Sequence, residues 1–322
     1  MKGLITRRRL LTASAAAMLA APSVLRAQGA YPSRQIELYV GFAAGGGTDI
    51  TARTLASYLE KELGGSVIVV NNPGASGELA LAQVARAQPD GYKLAMTNMP
   101  GLVTLPIERK TQFKLDDFHL LANLVSDPSA FSVAATSPIK SLSDLVAAAK
   151  AKPGDLTYGS TGAGTDDHLA LVLFEQAAGV SLNHVPFRGA GPLGSAILGQ
   201  HIDVAGLNVG EAVPQGANLR IIAQASAARS RFAPDVPTFR EAGFAIEMGS
   251  ERGLVAPKGL PAAVASKLEE AVGRVFKNPE FLGKVEQQFT EAAYLPGAEW
   301  RTRLTAAETQ FRKLWETKPW SS

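Results

Sequence analysis

The chain has 322 residues, no cysteine and a formal charge of +3 at pH 7. The lack of cysteine excludes thiolate metal sites and cysteine nucleophiles, and the length exceeds the size at which one hydrophobic core usually divides into domains. Residues 1–27 hold five basic and no acidic residues, so residues 28–322 carry a charge of −2. We therefore expect no nucleic-acid partner, because such partners select a basic surface.

Residues 1–27 have the composition of an export signal. A basic start (residues 2–9) precedes an apolar stretch of small residues (10–21) and a cleavage site at residues 25–27 (LRA). Residues 6–11 (TRRRLL) look like a twin-arginine signal, and an ordinary secretory signal is the alternative. Since the apolar run is shorter than the roughly 20 residues of a membrane-spanning helix, we predict export to the periplasm.

Short β-prone runs alternate with helical stretches in the first part of the chain. A strand at 36–40 is followed by a glycine loop and a helix over about 50–63. A second strand at 67–70 leads to the turn 72–77 (NPGASG) and another helix, to about residue 87. Such alternation predicts an α/β fold with a parallel-rich sheet.

The same alternation continues through the middle of the chain. A strand at 131–134 precedes residues 141–144 (SLSD), a capping box that predicts a helix to Lys150. A strand at 156–159 leads into a second glycine loop, and further units follow. From Pro261 onward the pattern is almost entirely helical.

Two α/β units and a helical tail imply two domains connected by two crossings. The crossings are predicted near residues 123–128 and 244–253, so the first domain is interrupted by the second and completed by the tail. The predicted domains are residues 28–126 with 250–322, and residues 127–249. This arrangement predicts a hinge and a cleft.

The pattern G-x-G-T-D occurs twice, at residues 45–49 (GGGTD) and 162–166 (GAGTD). Each copy leads from a β-prone run into a helical stretch, so each presents unpaired backbone N–H groups at the positive end of a helix. Face to face, the two loops would clamp a small anion. The alternative is a tight turn in which the threonine or aspartate of the motif caps the helix. The glycine spacing does not match nucleotide-binding motifs, so we expect no cofactor.

Several polar residues beside these loops are further candidates. Asp166 and Asp167 would repel a further carboxylate on the ligand and favour a ligand that donates an N–H. Arg188 and Arg252 follow strand-like segments and suit a carboxylate, surface salt bridges being the alternative. His168 is more typical of a structural histidine. Since the histidines have no metal-ligand spacing and no nucleophile–base pair is recognisable, we predict neither a metal site nor catalysis.

An ordered series of short motifs resembles the Bug family, the extracytoplasmic solute receptors of tripartite tricarboxylate transporters. The series spans nearly all of the chain after the export signal. The matching segments are residues 31–34 (YPSR), 52–53 (AR), 71–77 (NNPGASG), 89–92 (PDGY), 149–154 (AKAKPG), 164–165 with 168–170 (GT, HLA), 184–189 (HVPFRG), 229–230 (RS), 234–238 with 241–243 (PDVPT, EAG) and 256–257 (AP).

The resemblance implies a two-domain periplasmic-binding-protein fold of the Venus-flytrap type II class, with a C-terminal helical tail that completes domain 1. It also implies a non-enzymatic receptor that closes on a small organic acid for membrane transporter components. Family members hold a carboxylate chiefly through backbone amides of the two glycine loops, often with ordered water. The ligand-binding residues are predicted, with Arg252 added from the charge argument, as Phe42, Ala44, Gly45, Gly46, Thr48, Asp49, Thr161, Gly162, Ala163, Thr165, Asp166, Phe187, Asn208 and Arg252.

The chain departs from the family pattern around the second loop, where Ala163, Asp166 and Asp167 replace the usual asparagine and Thr-Ser. We therefore expect a monocarboxylate or zwitterion, such as an amino acid or a nitrogen heteroaromatic acid, rather than a plain dicarboxylate or tricarboxylate. The alternatives are an exported α/β enzyme acting on a small carboxylate or ester, and a ligand sensor for a signalling partner.

Overall fold

The computed structural model describes residues 31–320. The predicted export signal, residues 1–27, lies outside this range. From Arg34 onward the chain forms one compact unit, to which the following description applies. None of the helices in the described part of the chain has the length and apolar character needed to cross a membrane.

The described range contains ten strands and ten α-helices, which alternate along most of the chain. The strands are β1 (Ile36–Val40), β2 (Val67–Asn71), β3 (Lys93–Met99), β4 (Phe118–Ala134), β5 (Thr157–Ser160), β6 (Asn183–Pro186), β7 (Val204–Asn208), β8 (Leu219–Gln224), β9 (Gly249–Pro257) and β10 (Glu291–Pro296). The helices are α1 (Gly47–Leu63), α2 (Glu78–Ala85), α3 (Gly101–Glu108), α4 (Leu142–Ala151), α5 (Asp166–Ala178), α6 (Ala190–Leu198), α7 (Val209–Ala212), α8 (Ala262–Val275), α9 (Pro279–Gln287) and α10 (Gly297–Thr317).

The strands form one sheet in the order β2-β1-β3-β9-β4-β7-β5-β6, and β8 and β10 also pair with β4. Strand β1 is parallel to β2 and β3, and β5 is parallel to β6 and β7. An antiparallel pair, β4 with β9, connects these two parallel groups. Four of the nine strand pairs in the described range are parallel and five, all of which involve β4 or β9, are antiparallel. The predicted α/β class is therefore confirmed, whereas the sheet is mixed rather than parallel-rich. We call β1, β2, β3, β9, β10 and the start of β4 the first half-sheet, and β5–β8 with the end of β4 the second half-sheet.

Strand β4 is 17 residues long and belongs to both half-sheets. It pairs with β9 as far as Pro128 and with β7 from Ser129 onward. Beside this point the chain returns to the first half-sheet, since the Ser129 N–H donates to the Met248 carbonyl at 3.0 Å just before β9 begins. The predicted crossings lie at these two places, whereas the division into moving domains remains a prediction.

Local signals set the ends of several helices. The predicted capping box at α4 is confirmed, because Ser141 is the N-cap and its hydroxyl accepts the Asp144 N–H at 3.1 Å. Helix α1 starts at Gly47, three residues before the predicted start. It ends at Leu63, and its C-cap is Gly64, whose φ of 69° is the left-handed conformation that favours glycine.

Each half-sheet packs against its own apolar core. In the second half-sheet, the Phe131 ring contacts those of Tyr158 and Phe239 with centroids 4.9 Å apart. In the first half-sheet, Trp300 of α10 is completely buried against Gly253, where a Cβ would overlap the indole ring. These two cores hold the loops between them in fixed positions.

The prediction of an almost entirely helical tail is wrong at residues 291–296. These residues form β10, which pairs antiparallel with β4 and alternates between half-buried and exposed positions. Its alanines do not favour a strand by themselves. The unpaired edge of β4 provides the hydrogen bonds that make this segment extended, so the strand depends on tertiary contacts.

Candidate functional site

The loops that follow the parallel strands meet between the two half-sheets. There they enclose an outer chamber of about 370 Å³, lined by Phe42, Ser76 and Arg109 from one side and Thr161, Phe187 and Arg188 from the other. An inner chamber of about 20 Å³, large enough for one water-sized group, adjoins it. The lining of the inner chamber includes apolar residues such as Phe42, Leu81 and Met96. Its polar residues are Ser76, Thr97, Asn98, Thr161, Thr165 and Asp166.

The first glycine loop is held by a carboxylate within the protein. Gly46 is the N-cap of α1 and uses no side-chain cap, so the alternative of Thr48 or Asp49 as the cap is wrong. Instead Asp49 reaches back and accepts the Gly45 N–H at 2.9 Å. The φ of +86° at Gly45 requires a glycine. Asp49 therefore shapes the loop from inside.

Asp49 is itself held in its ionised form. Burial raises its pKa, but hydrogen bonds from Arg53, the Gly45 N–H and Asn71 outweigh burial and keep the pKa below its ordinary value. The Asn71 amide donates to Asp49 at 2.9 Å and to the Phe42 carbonyl at 3.1 Å. Both acceptors belong to the same loop, so Asn71 links the end of β2 to the first glycine loop.

The second glycine loop differs in register from the first. Helix α5 begins at Asp166, the fifth residue of its motif, whereas α1 begins at the third residue. The Gly164 N–H donates to His168 Nδ1 at 3.1 Å, which repeats the geometry of Gly45 with Asp49. The Thr165 hydroxyl donates to the Gly162 carbonyl at 2.6 Å. The two copies of G-x-G-T-D are therefore similar in letters and different in structure.

The adjacent acids of the second loop have separate roles. Asp167 accepts the Thr161 N–H at 2.8 Å and the Thr161 hydroxyl at 2.6 Å, so it supports the loop from behind. Burial and the charge of Asp166 raise the pKa of Asp167 well above its usual range. Asp166 accepts from the Ser129 hydroxyl and the Asn208 amide, both at 2.7 Å, and also lines the inner chamber. Of the pair, only Asp166 lies against the candidate site.

Several amides expected to bind the ligand already have acceptors in the protein. The Gly45 N–H donates to Asp49, the Thr161 N–H to Asp167 and the Gly162 N–H to the Ser160 hydroxyl. The neighbouring Ala43 N–H donates to the Arg188 carbonyl. The chambers therefore present side-chain hydroxyls to a greater extent than the sequence predicts. Among these, the buried Thr97 hydroxyl has no hydrogen-bond partner in the described part of the chain.

Ser76 is the site residue that the sequence reasoning missed. It lines both chambers, and a Cβ on Gly162 would lie 2.5 Å from its hydroxyl oxygen, so Ser76 packs directly on the second loop. Gly74, Ala75, Ser76 and Gly77 all have positive φ, a strained conformation for the alanine and the serine. The sequence feature that could have identified Ser76 is the glycine-rich turn after β2, which lies at the same sheet edge as the first glycine loop.

The mouth of the outer chamber is cationic. Arg109 is partly neutralised, since it lies 3.0 Å from a Glu78 oxygen and 3.1 Å from a Glu108 oxygen. Arg188 is exposed, and its position is fixed by its backbone contact with the first loop. Among the described residues, none that lines the outer chamber is acidic.

A bar of glycine-rich backbone separates these chambers from a third one. The bar consists of residues 43–46 packed on residues 188–191. A Cβ on Gly189 would lie 3.1 Å from the Ala43 nitrogen, and one on Gly191 would lie 3.0 Å from the Ala44 carbonyl oxygen. Side chains at these glycines would therefore push the two segments apart.

Beyond the bar lies the hinge-side chamber, of about 410 Å³, which shares no described lining residue with the other two. Arg252 lines it and pairs with Asp127 at 3.0 Å and Glu211 at 3.6 Å. Glu211 accepts the Gly47 N–H at 2.9 Å, so a protein carboxylate occupies the start of α1. Burial raises the pKa of Asp127 to about 7, although Arg252 opposes this shift.

The structure thus divides the predicted site residues into groups. Those at the outer or inner chamber are Phe42, Thr161, Gly162, Ala163, Thr165, Asp166 and Phe187. Gly45 and Arg252 lie at the hinge-side chamber, and Ala44 and Gly46 lie in the bar. Thr48, Asp49 and Asn208 brace neighbouring groups, since Thr48 donates to Asn98 at 3.0 Å and Asn208 to the Asp127 carbonyl at 3.0 Å.

One contact bears on the enzyme alternative. The Ser160 hydroxyl lies 2.6 Å from His184 Nε2, a serine–histidine pair that the sequence did not reveal. Ser160 is completely buried, lines none of the three chambers and holds the Gly162 N–H. The pair therefore supports the second loop. In the described part of the chain, no cluster of three or more histidine or acidic residues is placed to hold a metal.

Comparisons with known proteins agree with this geometry. The model of the family described as tripartite tricarboxylate transporter family receptor matches residues 51–312. A UPF0065 protein of Cupriavidus necator is 36% identical over 307 residues, which cover 95% of this chain and 93% of the relative. The periplasmic binding protein BugD is 28% identical, with a TM-score of 0.84 over 89% of this chain and 98% of BugD. MatC from Rhodopseudomonas palustris, solved with bound malate, is 26% identical, with a TM-score of 0.83 over 88% of this chain and 99% of MatC. The predicted fold class and the resemblance to the Bug family are confirmed.

Proposed function

Because the chain belongs to the family of tripartite tricarboxylate transporter receptors, we propose that it is a periplasmic receptor that captures a small organic carboxylate for membrane transporter components. The observation that carries the proposal is the outer chamber, where Ser76 and Thr161 from opposite half-sheets line one cationic space. MatC, which has the same fold, is solved with bound malate. Capture requires no chemistry on the ligand, so we propose a receptor without catalysis.

Ligand capture is proposed to close the cleft between residues 28–126 with 250–322 and residues 127–249. Several hydrogen bonds connect the two half-sheets near the chambers. The Thr104 hydroxyl donates to the Gly164 carbonyl at 2.6 Å, the Ala43 N–H to the Arg188 carbonyl at 2.9 Å, and the Gly47 N–H to Glu211 at 2.9 Å. These bonds would form as the cleft closes and exclude water, which strengthens charge-assisted hydrogen bonds to the ligand.

The two ends of the outer chamber favour different ligand groups. Arg188 at the mouth suits a carboxylate, and Asp166 at the inner chamber suits a hydrogen-bond donor. Phe42 and Phe187 provide apolar walls from opposite sides, which suit a flat ring. We therefore propose a monocarboxylate with a nitrogen donor at its far end, a protonated nitrogen heteroaromatic acid first and an amino acid second.

Isothermal titration calorimetry with nicotinate, L-alanine and malate tests this proposal. We expect nicotinate to bind most tightly and, because its ring nitrogen carries no proton in neutral solution, to take up one proton from the buffer as it binds. The double variant Ser76→Ala, Thr161→Val should weaken nicotinate binding about tenfold or more. It removes the Ser76 hydroxyl from the ligand and the bond by which the Thr161 hydroxyl, donating to Asp167, supports the second loop, and each such bond contributes about 0.5–1.5 kcal/mol. Thr302→Ala, a loss of one exposed hydroxyl on α10, is the matched control and should leave binding unchanged. Tight binding of malate with none of nicotinate or L-alanine would refute the ligand class, and equal binding by the double variant would refute the site.

Incubation of the protein with nicotinate or with a small carboxylic ester, followed by NMR of the ligand, addresses the enzyme alternative. A receptor returns the ligand unchanged. Turnover that Ser160→Ala abolishes would favour an esterase and contradict the structural role assigned to the Ser160–His184 pair.

A further inference from the structure

The hinge-side chamber has the size and enclosure of a small-molecule site. Its volume of about 410 Å³ lies within the range of roughly 300–1,000 Å³ typical of ligand pockets. One wall is the face of α6 that carries Gly191, Gly194 and Ser195, and the opposite wall includes Arg252. Ile50 and Leu198, which line the chamber, are exposed by 42% and 39%, so apolar side chains are accessible at its rim.

Arg252 leaves a buried donor unused at this chamber. Its side chain is only 1% exposed, and its Nε–H has no hydrogen-bond partner among the described residues. A buried guanidinium N–H without an acceptor is costly, because it has lost its hydration and gained nothing in return. A ligand carboxylate in the chamber would supply that acceptor.

Two carboxylates beside Arg252 determine what else the ligand must carry. Asp127 accepts from Arg252 and the Gly210 N–H, and Glu211 accepts from the N–H groups of Gly47 and Asn208. Each carboxylate has about four lone-pair positions, so both retain acceptor capacity. Because two acids face one arginine, a simple anion would be repelled, whereas a ligand with an ammonium group near its carboxylate fits both signs.

The remaining lining is partly apolar. It includes the side chains of Leu198, Leu207, Pro214 and Phe289, together with the polar residues Ser195, Gln215, Gln287, Gln288 and Thr290. Burying an aliphatic side chain against the apolar residues contributes favourably to binding. The chamber thus combines a charged group around Arg252 with apolar side chains that can contact an aliphatic group.

We infer that the hinge-side chamber is a second binding site, for a neutral α-amino acid with an apolar side chain. The ligand carboxylate accepts from Arg252 Nε–H, the ammonium donates to Asp127 and Glu211, and the side chain lies toward Leu198 and Phe289. Because Arg252 belongs to the first half-sheet and Glu211 to the second, an occupant bonds to both halves and stabilises their closed arrangement. The site is separate from the outer chamber and from the proposed carboxylate ligand.

Gly194 provides a way to block this chamber without disturbing the fold. A Cβ at Gly194 meets no atom within 4 Å, so a larger side chain projects into open space, and replacing a helical glycine also favours the helix. Gly283 on α9 has the same free space but lies away from the chamber, so Gly283→Leu is a matched control. Ser195→Leu fills the chamber from the next position and replaces Gly194→Leu if that variant does not fold.

Calorimetry with L-leucine, N-acetyl-L-leucine and L-leucinamide tests the inference on the full-length protein. We expect L-leucine to bind the original protein and Gly283→Leu equally, and Gly194→Leu at least tenfold more weakly. N-acetyl-L-leucine lacks the ammonium and L-leucinamide lacks the carboxylate, so each should bind at least tenfold more weakly than L-leucine.

Three results would overturn the inference. They are no binding of L-leucine, unchanged binding of L-leucine by Gly194→Leu, and binding of either derivative as tightly as L-leucine. Loss of L-leucine binding in the Ser76→Ala, Thr161→Val variant would place leucine in the outer chamber and also overturn it. Nicotinate titrated into Gly194→Leu reports on the outer chamber alone. Failure of the proposed receptor function is therefore distinguishable from failure of the second site.

Discussion

His168 makes the support of the second glycine loop dependent on pH. It is 4% exposed, and its ring stacks on that of His184 with centroids 4.0 Å apart and planes 8° from parallel. Burial, together with the neighbouring His184, lowers the pKa of His168 to about 3 from an ordinary value of 6.5. Its Nδ1 must stay unprotonated to accept the Gly164 N–H. Protonation therefore costs the folded protein both a loop hydrogen bond and a buried charge.

The sign and size of the effect follow from linkage. Below pH 6.5 the unfolded chain takes up a proton at residue 168, whereas the folded chain does not until about pH 3. The stabilisation is thus complete above pH 6.5 and is lost as the pH falls toward 3. One such histidine lowers the free energy of unfolding by about 2 kcal/mol between about pH 7.5 and about pH 5. Burial lowers the pKa of His184 to about 4, so it acts in the same direction.

Urea denaturation of the original protein and His168→Asn at both pH values measures this effect. Asparagine keeps an oxygen that accepts the Gly164 N–H but does not titrate, so the variant should lose about 2 kcal/mol less on acidification. The comparison between proteins is needed because the raised pKa values of Asp127 and Asp167 add stability as the pH falls. His201→Asn, at an exposed histidine, is the control. Identical pH dependence in His168→Asn and the original protein would refute the reasoning.

Two further substitutions test the contacts that position the loops. Gly41→Ala should lower the free energy of unfolding by about 1–3 kcal/mol, because its Cβ would lie 2.5 Å from the Gly77 Cα. Gly101→Ala, where a Cβ meets open space, is the control and should not lower it. Equal melting temperatures of the two variants would contradict this packing. Glu211→Ala should lower the free energy of unfolding by about 1–3 kcal/mol, since it leaves the Gly47 N–H without its acceptor. In urea denaturation, Glu211→Gln should lower it less, because the amide oxygen can still accept this N–H. The reverse order would show that the charge of Glu211 matters more than the hydrogen bond.

Local patterns in the sequence predicted local structure well. The β-branched run of β1 and β2, the glycine loop after each parallel strand and the capping box at Ser141 depend on neighbours within a few residues. The order of strands and helices followed from the same patterns. For this reason the sequence predicts both glycine loops and five of the twelve residues that line the outer chamber, with a sixth, Arg188, as a further candidate.

Contacts between distant residues were not predictable in this way. Arg252 reaches Asp127 across 125 positions only because β4 and β9 pair with Val125 opposite Arg252, and two irregularities shift that register. The expectation that Arg252 lies with Thr161 fails because the register turns Arg252 to the other side of the bar. Likewise, nothing in the letters GGGTD and GAGTD indicates that their helices begin at different motif positions.

The bar of residues 43–46 and 188–191 explains how one cleft can hold groups of opposite preference. Glu211 occupies the positive end of α1 on the hinge side, so that helix contributes little to a ligand in the outer chamber. A carboxylate in the outer chamber must therefore rely on Arg188, the Ser76 hydroxyl and the second loop, since the Thr161 hydroxyl already donates to Asp167. The same Glu211, with Asp127, makes the hinge-side chamber unsuitable for a simple anion and suitable for a zwitterion. Separation by backbone atoms alone requires glycine at 189 and 191, so larger residues there would merge the two environments and weaken selectivity in both chambers.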